Sequence, residues 1–149
     1  MRKGLTLIEV LITIVLVAIL GSFVIISLNP VGQFASARNN ERLSNLNTIL
    51  NSISQNSADN KGNFTCSAGV IPSTSTKRMA TGAGNYDIAS CLIPIYVSVL
   101  PFDPKDPLAH FTSQTDYDTG YTITRNASSG AVTISAPSGE SGKIISVSR

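Results

Sequence analysis

The sequence is poor in the side chains that build catalytic and metal sites. It contains one histidine, His110, and two cysteines, Cys66 and Cys91, which do not supply the four ligands of a zinc site. It also lacks a nucleophile elbow, a phosphate-binding glycine loop and a paired histidine and carboxylate motif. These absences argue against an enzyme, and we predict a chain that has no catalytic role and needs no cofactor.

Charge is scarce as well. Only 13% of the residues are charged, and 11 Lys plus Arg against 9 Asp plus Glu leave a formal net charge of +2. A dedicated nucleic-acid-binding protein carries a much larger net positive charge. Lys77, Arg78 and Arg125 are the candidate contacts, but two adjacent charges are typical of a solvated loop. The sequence therefore argues against nucleic acid as a partner.

A long run near the N-terminus carries no charge. It covers the 19 residues 10–28, and the next charged residue after Glu9 is Arg38. At about 1.5 Å per residue, a helix of this length nearly matches the ~30 Å hydrocarbon core of a bilayer. Arg2 and Lys3 precede the run, so the bias of positive charge toward the cytoplasm places the N-terminus inside and the rest outside. We expect a single-pass anchor in the cytoplasmic (inner) membrane.

A secretory signal peptide is the first alternative, because it too has a basic start followed by an apolar run. Residues 35–37, Ala-Ser-Ala, fit its small-x-small cleavage pattern, and cleavage after Ala37 would release a secreted binding domain. The run is longer than the usual apolar region of a signal peptide, it carries Glu9 near its start, and an amphipathic pattern follows it. These three features favour a membrane helix that is retained.

Glu9 is the unusual residue of this segment. A carboxylate in a membrane helix costs about 2.5–3.5 kcal/mol if it lies deep, so it needs a partner. A capping box is one explanation, in which Thr6 caps the helix and Glu9 reaches back to the Thr6 backbone N–H. A capping box does not explain why Gly4 and a short basic tip stand before the apolar Leu5.

Residues 3–12, Lys-Gly-Leu-Thr-Leu-Ile-Glu-Val-Leu-Ile, resemble the processing motif of type IV prepilins and pseudopilins. The motif combines a basic leader, Gly at the cleavage position, an apolar first mature residue, Glu at the fifth mature position and a long uncharged helix. Leu5 stands where the family most often has Phe. The resemblance implies that a prepilin peptidase cuts after Gly4 and N-methylates Leu5.

The cut would create an α-amine on Leu5 that is largely protonated at neutral pH. In a stack of parallel helices, this amine of one copy can meet the Glu9 carboxylate of its neighbour. Both charges are costly to bury alone, and pairing offsets that cost only when the subunits are in register. Methylation retains the positive charge and therefore the attraction.

The resemblance implies a structural subunit of a type IV pilus or pilus-like filament that supports adhesion, motility or DNA uptake. Its partners would be further copies of itself, the prepilin peptidase, the assembly platform in the inner membrane and, before assembly, membrane lipid. The filament would lie outside the cell. A type II secretion pseudopilin is the alternative within the family, and a single-pass membrane-anchored binding protein is the alternative of another class.

The layout expected from these features has four segments. A leader peptide covers residues 1–4, a transmembrane and filament-core helix covers 5–28, its amphipathic continuation covers 29–61, and a globular head covers 62–149. Pro30 removes a backbone donor and crowds the preceding turn, so the sequence predicts a kink there.

The amphipathic continuation has apolar residues at steps of three and four, which is typical of a helix with one buried face. The polar residues 38–42 precede most of this stripe. The stripe consists of Leu43, Leu46, Ile49, Leu50 and Ile53.

Alternation of apolar and polar residues predicts strands at 121–125, 131–135 and 143–148, with a turn between the first two. Their apolar face would cover the helical stripe. The predicted fold is α+β and pilin-like, with a long N-terminal helix packed on a small C-terminal antiparallel sheet. Residues 64–119 are polar with weak periodicity, and 91–100 fit either a helix or a strand.

Cys66 and Cys91 lie in the part of the chain that would fold in an oxidising compartment, so a single disulfide is the natural interpretation. Closing a loop of this length stabilises a fold by roughly 3 kcal/mol in the chain-entropy model. Two separate buried thiols are the alternative.

Four aspartates are weak candidates for a calcium site: Asp103, Asp106, Asp116 and Asp118. Major pseudopilins of secretion systems use calcium in this part of the chain, whereas exposed turn aspartates are the more common explanation. Asp103 also belongs to residues 100–104, Leu-Pro-Phe-Asp-Pro, which look like an element of many pilin-like heads. Two prolines that fix a rigid turn are a sufficient explanation for this element.

Overall fold

A computed structural model describes residues 4–149, apart from the side chains of residues 25–28. Arg2 and Lys3, on which the predicted membrane orientation depends, lie outside the described residues. The helices are α1 (Leu7–Leu28), α2 (Pro30–Asp59) and α3 (Ala89–Leu92), and the strands are β1 (Lys77–Ala80), β2 (His110–Ser113), β3 (Asp116–Arg125), β4 (Val132–Ala136) and β5 (Ile145–Ser148). The predicted α+β, pilin-like architecture is confirmed. The chain divides into one unit that ends at Ala35 and a second unit, Ser36–Arg149.

A single residue, Asn29, separates the first two helices, where the sequence predicts a kink at Pro30 within one helix. Asn29 has a left-handed backbone (φ 42°, ψ 64°) and ends α1. Pro30 then opens α2, at a position where its missing N–H is not needed. The Asn29 side chain accepts a hydrogen bond from the Gly32 N–H (3.3 Å), and a Cβ at Gly32 would meet the Asn29 amide at 2.9 Å. Asn29 therefore ends one helix and caps the next.

One face of α2 packs on the sheet and forms the core of the second unit. Four of the five predicted stripe residues are buried: Leu46, Ile49, Leu50 and Ile53. They join Tyr121, Ile123 and Ile134 from β3 and β4 in the same cluster. The fifth, Leu43, is 44% exposed, so its assignment to the core was wrong. The preceding residue, Arg42, which is one of the polar residues 38–42, is buried on this face.

The sheet is antiparallel with the order β1-β3-β4-β5, and β2 also pairs with β3. β3 begins at Asp116, five residues before the predicted start at 121. β1 and β2 were not predicted, because both are four residues long and lie in the polar stretch. Gly120 allows the early part of β3 to pass close to a loop: its φ is 75°, and a Cβ there would meet that of Asp103 at 2.9 Å.

The remaining boundaries differ by one or two residues. β4 covers Val132–Ala136 in place of 131–135, and β5 starts at Ile145 in place of 143. Lys143 and Ile144 therefore lie before the strand. Residues 91–100, which fit either a helix or a strand in the sequence, form the end of α3 followed by turns and bends.

Truncation of Leu46 to alanine should lower the free energy of unfolding by about 2–5 kcal/mol, because Leu46 has no exposed surface and the protein cannot fill the cavity completely. Leu43→Ala is the matched control, since it changes the same residue type one turn earlier on the same helix. We expect a loss below about 1 kcal/mol for this control in urea unfolding followed by tyrosine fluorescence. Equal losses in the two variants would contradict the assignment of the buried face.

Candidate functional site

The predicted cleavage site lies just before α1. Gly4 and Leu5 are exposed, and neither belongs to a helix or strand. A Cβ at Gly4 would meet nothing within 4 Å among the described residues. The part of the chain that the structure describes therefore places no steric demand for glycine at position 4.

Thr6 caps α1, as in the capping box that is one of the explanations for Glu9. Its backbone is extended (φ −77°, ψ 152°), and its Oγ1 accepts a hydrogen bond from the Glu9 N–H at 3.4 Å. The reciprocal bond of a full capping box, from the Thr6 N–H to the Glu9 carboxylate, is absent from residues 4–149. Only the Thr6 half of the capping box is present, so the capping box gives the Glu9 carboxylate no hydrogen bond.

The Glu9 side chain is exposed, and its carboxylate makes no hydrogen bond or ion pair within the described part of the chain. It lies on Leu7–Val24, a segment that is long and apolar enough to cross a membrane and of which nothing is buried. The hydroxyls of Thr13 and Ser22 on this segment donate to the carbonyls of Val10 (2.7 Å) and Ala18 (2.9 Å). Those hydroxyls are satisfied by their own helix, whereas Glu9 requires a partner from another molecule if it is removed from water.

A second charged site lies where α2 contacts a loop of the head. Arg42 and Asp103 both have 0% side-chain exposure. Arg42 Nε donates to Asp103 Oδ2 (2.8 Å), and Nη2 donates to Oδ1 (3.0 Å). Bidentate pairs of this kind are among the strongest hydrogen-bonded contacts in proteins. The pair attaches the loop of residues 100–104 to the helix.

Further groups extend this pair into what we call the arginine network: Arg38, Asn39, Arg42, Asp103, Lys105 and Glu140. Glu140 accepts hydrogen bonds from Arg38 (2.6 and 2.8 Å), Lys105 (2.8 Å) and Arg42 (3.1 Å). The Asn39 side chain binds both the backbone N–H and the carbonyl of Glu140, each at 3.0 Å. The network therefore connects α2 to two separate loops of the head.

The surroundings of the two network carboxylates lower their pKa values. Burial by itself raises the pKa of Asp103, but the Arg42 guanidinium and the N–H groups of Lys105 and Asp106 more than offset that effect and hold the pKa below its usual range. Hydrogen bonds from Arg38, and then from Lys105, hold the pKa of Glu140 far below its ordinary value. Both groups are therefore negatively charged at neutral pH.

The four calcium candidates are paired with arginine or histidine side chains. Asp103 binds Arg42, Asp106 and Asp118 share Arg78 (2.9 and 2.7 Å), and Asp116 lies 3.2 Å from His110. No group of three or more metal-ligating side chains occurs among residues 4–149. Arg78, one of the candidate nucleic-acid contacts, is also occupied by this pairing.

Cys66 and Cys91 form the predicted disulfide, with their Cα atoms 5.0 Å apart. Asn56, near the end of α2, holds the same two segments together. Its amide donates to the carbonyls of Thr65 and Cys91 (3.1 Å each), and its Oδ1 accepts from the Thr65 N–H (2.9 Å). The bridge and Asn56 together hold the loop after α2 against α3.

The sequence contains a signal that would have found the buried polar residues. The buried positions of α2 include residues 39, 42, 46, 49, 53 and 56, at alternating steps of three and four. The predicted stripe contains only the apolar members of this pattern. Asn39, Arg42 and Asn56 continue the same face, and a polar residue on a buried face needs a partner within the fold.

Asp103→Ala should lower the free energy of unfolding by about 3–5 kcal/mol, because it leaves the buried Arg42 charge without its main partner. Lys105→Ala is the control, since it removes an ion from the same network whose side chain is mostly exposed. We expect a loss below about 1 kcal/mol for the control in urea unfolding. If both variants lost the same stability, the buried pair would not be the critical contact.

Stability should fall in acid. The pKa values of Asp103 and Glu140 are lower in the folded protein than in the unfolded chain, where they are about 3.9 and 4.3. Their stabilisation is therefore complete above about pH 5 and is lost as the pH falls through the folded values. The melting temperature, measured from pH 7 to 2.5, should decline below about pH 4, and the decline should be shallower for Glu140→Gln. Identical acid profiles for this variant and the unaltered protein would exclude Glu140 as a cause.

Comparison with known proteins identifies the N-terminal segment. Residues 1–25 match the family model described as the prokaryotic N-terminal methylation motif. No curated protein and no solved structure matches the chain. The matched residues include the exposed Gly4–Leu5 bond, the Thr6 cap and Glu9. The chain thus carries the methylation motif that is characteristic of type IV pilins and pseudopilins, which are structural subunits and not an enzyme family.

Proposed function

We propose that the protein is a structural subunit of a type IV pilus or pilus-like filament. Prepilin peptidase cuts after Gly4 and N-methylates Leu5, and the processed subunits polymerise through their N-terminal helices. The observation that carries this proposal is Glu9, a carboxylate that has no partner among residues 4–149 and lies on an exposed apolar helix within the methylation motif.

The distance between the new amine and the acid supports assembly in register. Leu5 and Glu9 are four residues apart, which is about 6 Å along a helix at 1.5 Å per residue. A parallel copy displaced by roughly one helical turn brings its amine to the Glu9 carboxylate. The attraction between the amine and the carboxylate then compensates for the water that both have lost. In a different register both charges remain unpaired. The pair therefore selects the correct stagger as well as contributing to affinity.

Before assembly, the same helix anchors the subunit in the cytoplasmic membrane as a single pass with its N-terminus inside. In this proposal residues 1–4 are the leader, 5–28 the membrane and filament-core helix, 29–61 its amphipathic continuation and 62–149 the head. The partners are further copies of the chain, the prepilin peptidase and an inner-membrane assembly platform. The mature filament lies outside the cell and needs no cofactor.

A type II secretion pseudopilin is the alternative that shares this processing. A melting temperature that rises with calcium would favour it, and long surface filaments that disappear on deletion of the gene would favour a pilus. The arginine and histidine contacts of Asp103, Asp106, Asp116 and Asp118 favour the pilus, because a calcium ion would have to displace them.

Mass spectrometry of protein purified from its native membrane or filament tests the proposal. We expect a chain that lacks residues 1–4 and carries one methyl group on Leu5. A single-pass binding protein would retain its first four residues, and a secreted domain released after Ala37 would start at Arg38. Either of these N-termini would refute processing at Gly4.

Assembly is tested with Glu9→Gln, which removes the charge and preserves the size of the side chain. This variant should be inserted and processed normally, but the filament yield counted by electron microscopy should fall at least about tenfold, as expected for the loss of a buried charge pair. Asp59→Asn is the matched control, since it removes an exposed acid outside the motif. Normal filaments from Glu9→Gln would contradict assembly by charge pairing.

A further inference from the structure

One apolar side chain of the head is almost completely exposed. Ile144 has 94% of its surface accessible, whereas the next residue, Ile145, is buried at the start of β5. Lys143 precedes it, is exposed, and forms no ion pair with the residues that the structure describes. The tip formed by Lys143 and Ile144, which we call the isoleucine knob, therefore presents an apolar side chain beside an unpaired cation.

A groove elsewhere on the head has the complementary properties. It has a volume of about 530 Å³, its apolar wall includes Val99 and Phe102, and its other wall is formed by α2 at Glu41, Asn45 and Thr48. Val99 and Phe102 are 50% and 41% exposed. Glu41 is exposed and has no ion-pair partner between residues 4 and 149. The groove, which we call the valine groove, thus combines an apolar wall with an unpaired anion.

The knob and the groove lie on opposite flanks of α2. At 100° per residue, Glu41 and Thr48 fall on one side of the buried face, and Leu43 falls on the other. A surface cleft is lined by Leu43, Lys143 and Ile144, which places the knob on the Leu43 side. The valine groove borders the Glu41 side. A subunit therefore cannot fill its own groove with its own knob.

We propose that the isoleucine knob of one copy docks in the valine groove of the next copy, with Lys143 paired to Glu41. This inference rests on the proposed filament function and adds to it a specific contact between heads. A contact between two different patches is heterologous, and it propagates into an open chain when the rotation between copies does not close.

Each part of the contact has a different effect. Burial of Ile144 against Val99 and Phe102 supplies the attraction, since exposed apolar surface leaves water. The pair of Lys143 and Glu41 lies at the rim, where an ion pair adds little affinity but disfavours a wrong register. Ile144 could equally bury its side chain in a lipid surface, but that binding would give Glu41 of the valine groove no role.

Disulfide trapping in the full chain tests the contact. Val99→Cys combined with Ile144→Cys should give, after oxidation of assembled material, a ladder of covalent multimers on a non-reducing gel. Each single variant should remain monomeric. The control pair is Val99→Cys with Leu108→Cys, because Leu108 is a large apolar side chain of high exposure outside both patches. The control pair should give no ladder.

Charge exchange tests the pairing independently. Lys143→Glu and Glu41→Lys should each reduce filament yield, and the double variant should restore it. Ile144→Ser should lower subunit association about tenfold without changing the melting temperature, because the residue makes no core contact.

The outcomes separate this inference from the proposed function. Normal filaments without a ladder would overturn the head contact and leave the filament proposal intact. A ladder from a chain that forms no filaments would support the contact and refute the filament role. The absence of both would refute both.

Discussion

The buried ion pair between Arg42 and Asp103 joins α2 to the head, at the point where the loop of residues 100–104 lies between the helix and the sheet. A charge with no exposed surface costs several kcal/mol unless a partner compensates it, so neither residue can leave the other while the head is folded. Asp103 also accepts hydrogen bonds from the N–H groups of Lys105 and Asp106, and its own N–H donates to Thr119. The pair thus connects the loop to the start of β3 as well as to α2.

The same physical rule explains the positions of Arg42 and Glu9 in opposite ways. Arg42 is buried and finds its counter-charge within the fold, which contributes to a stable head. Glu9 is exposed on an apolar helix and finds none among residues 4–149, which leaves its charge available to another copy. The pair of Arg42 and Asp103 stabilises the folded head. The proposed assembly requires the opposite of Glu9, a carboxylate that no side chain among residues 4–149 neutralises.

Much of the fold was predictable because its helices and longer strands have strong local patterns. Leu46, Ile49, Leu50 and Ile53 identified the buried face, and alternation identified the cores of β3, β4 and β5. β1 and β2 were not predictable, since each is too short to show a pattern and is ordered by pairing with β3. Leu43 was misassigned because the sequence does not show whether another element packs over an apolar residue at the edge of a stripe.

The sequence alone was sufficient to identify the processing motif, the apolar helix, the α+β class and the cysteine pair, because each is a local pattern or a scarce residue type. Only the tertiary structure decided that Arg42 is buried, that Asp103 is its partner and that Glu140 binds three cations. These contacts join residues between 35 and 102 positions apart. Charged side chains look alike in a sequence whether water or a counter-ion solvates them, and only folding determines which of the two does so.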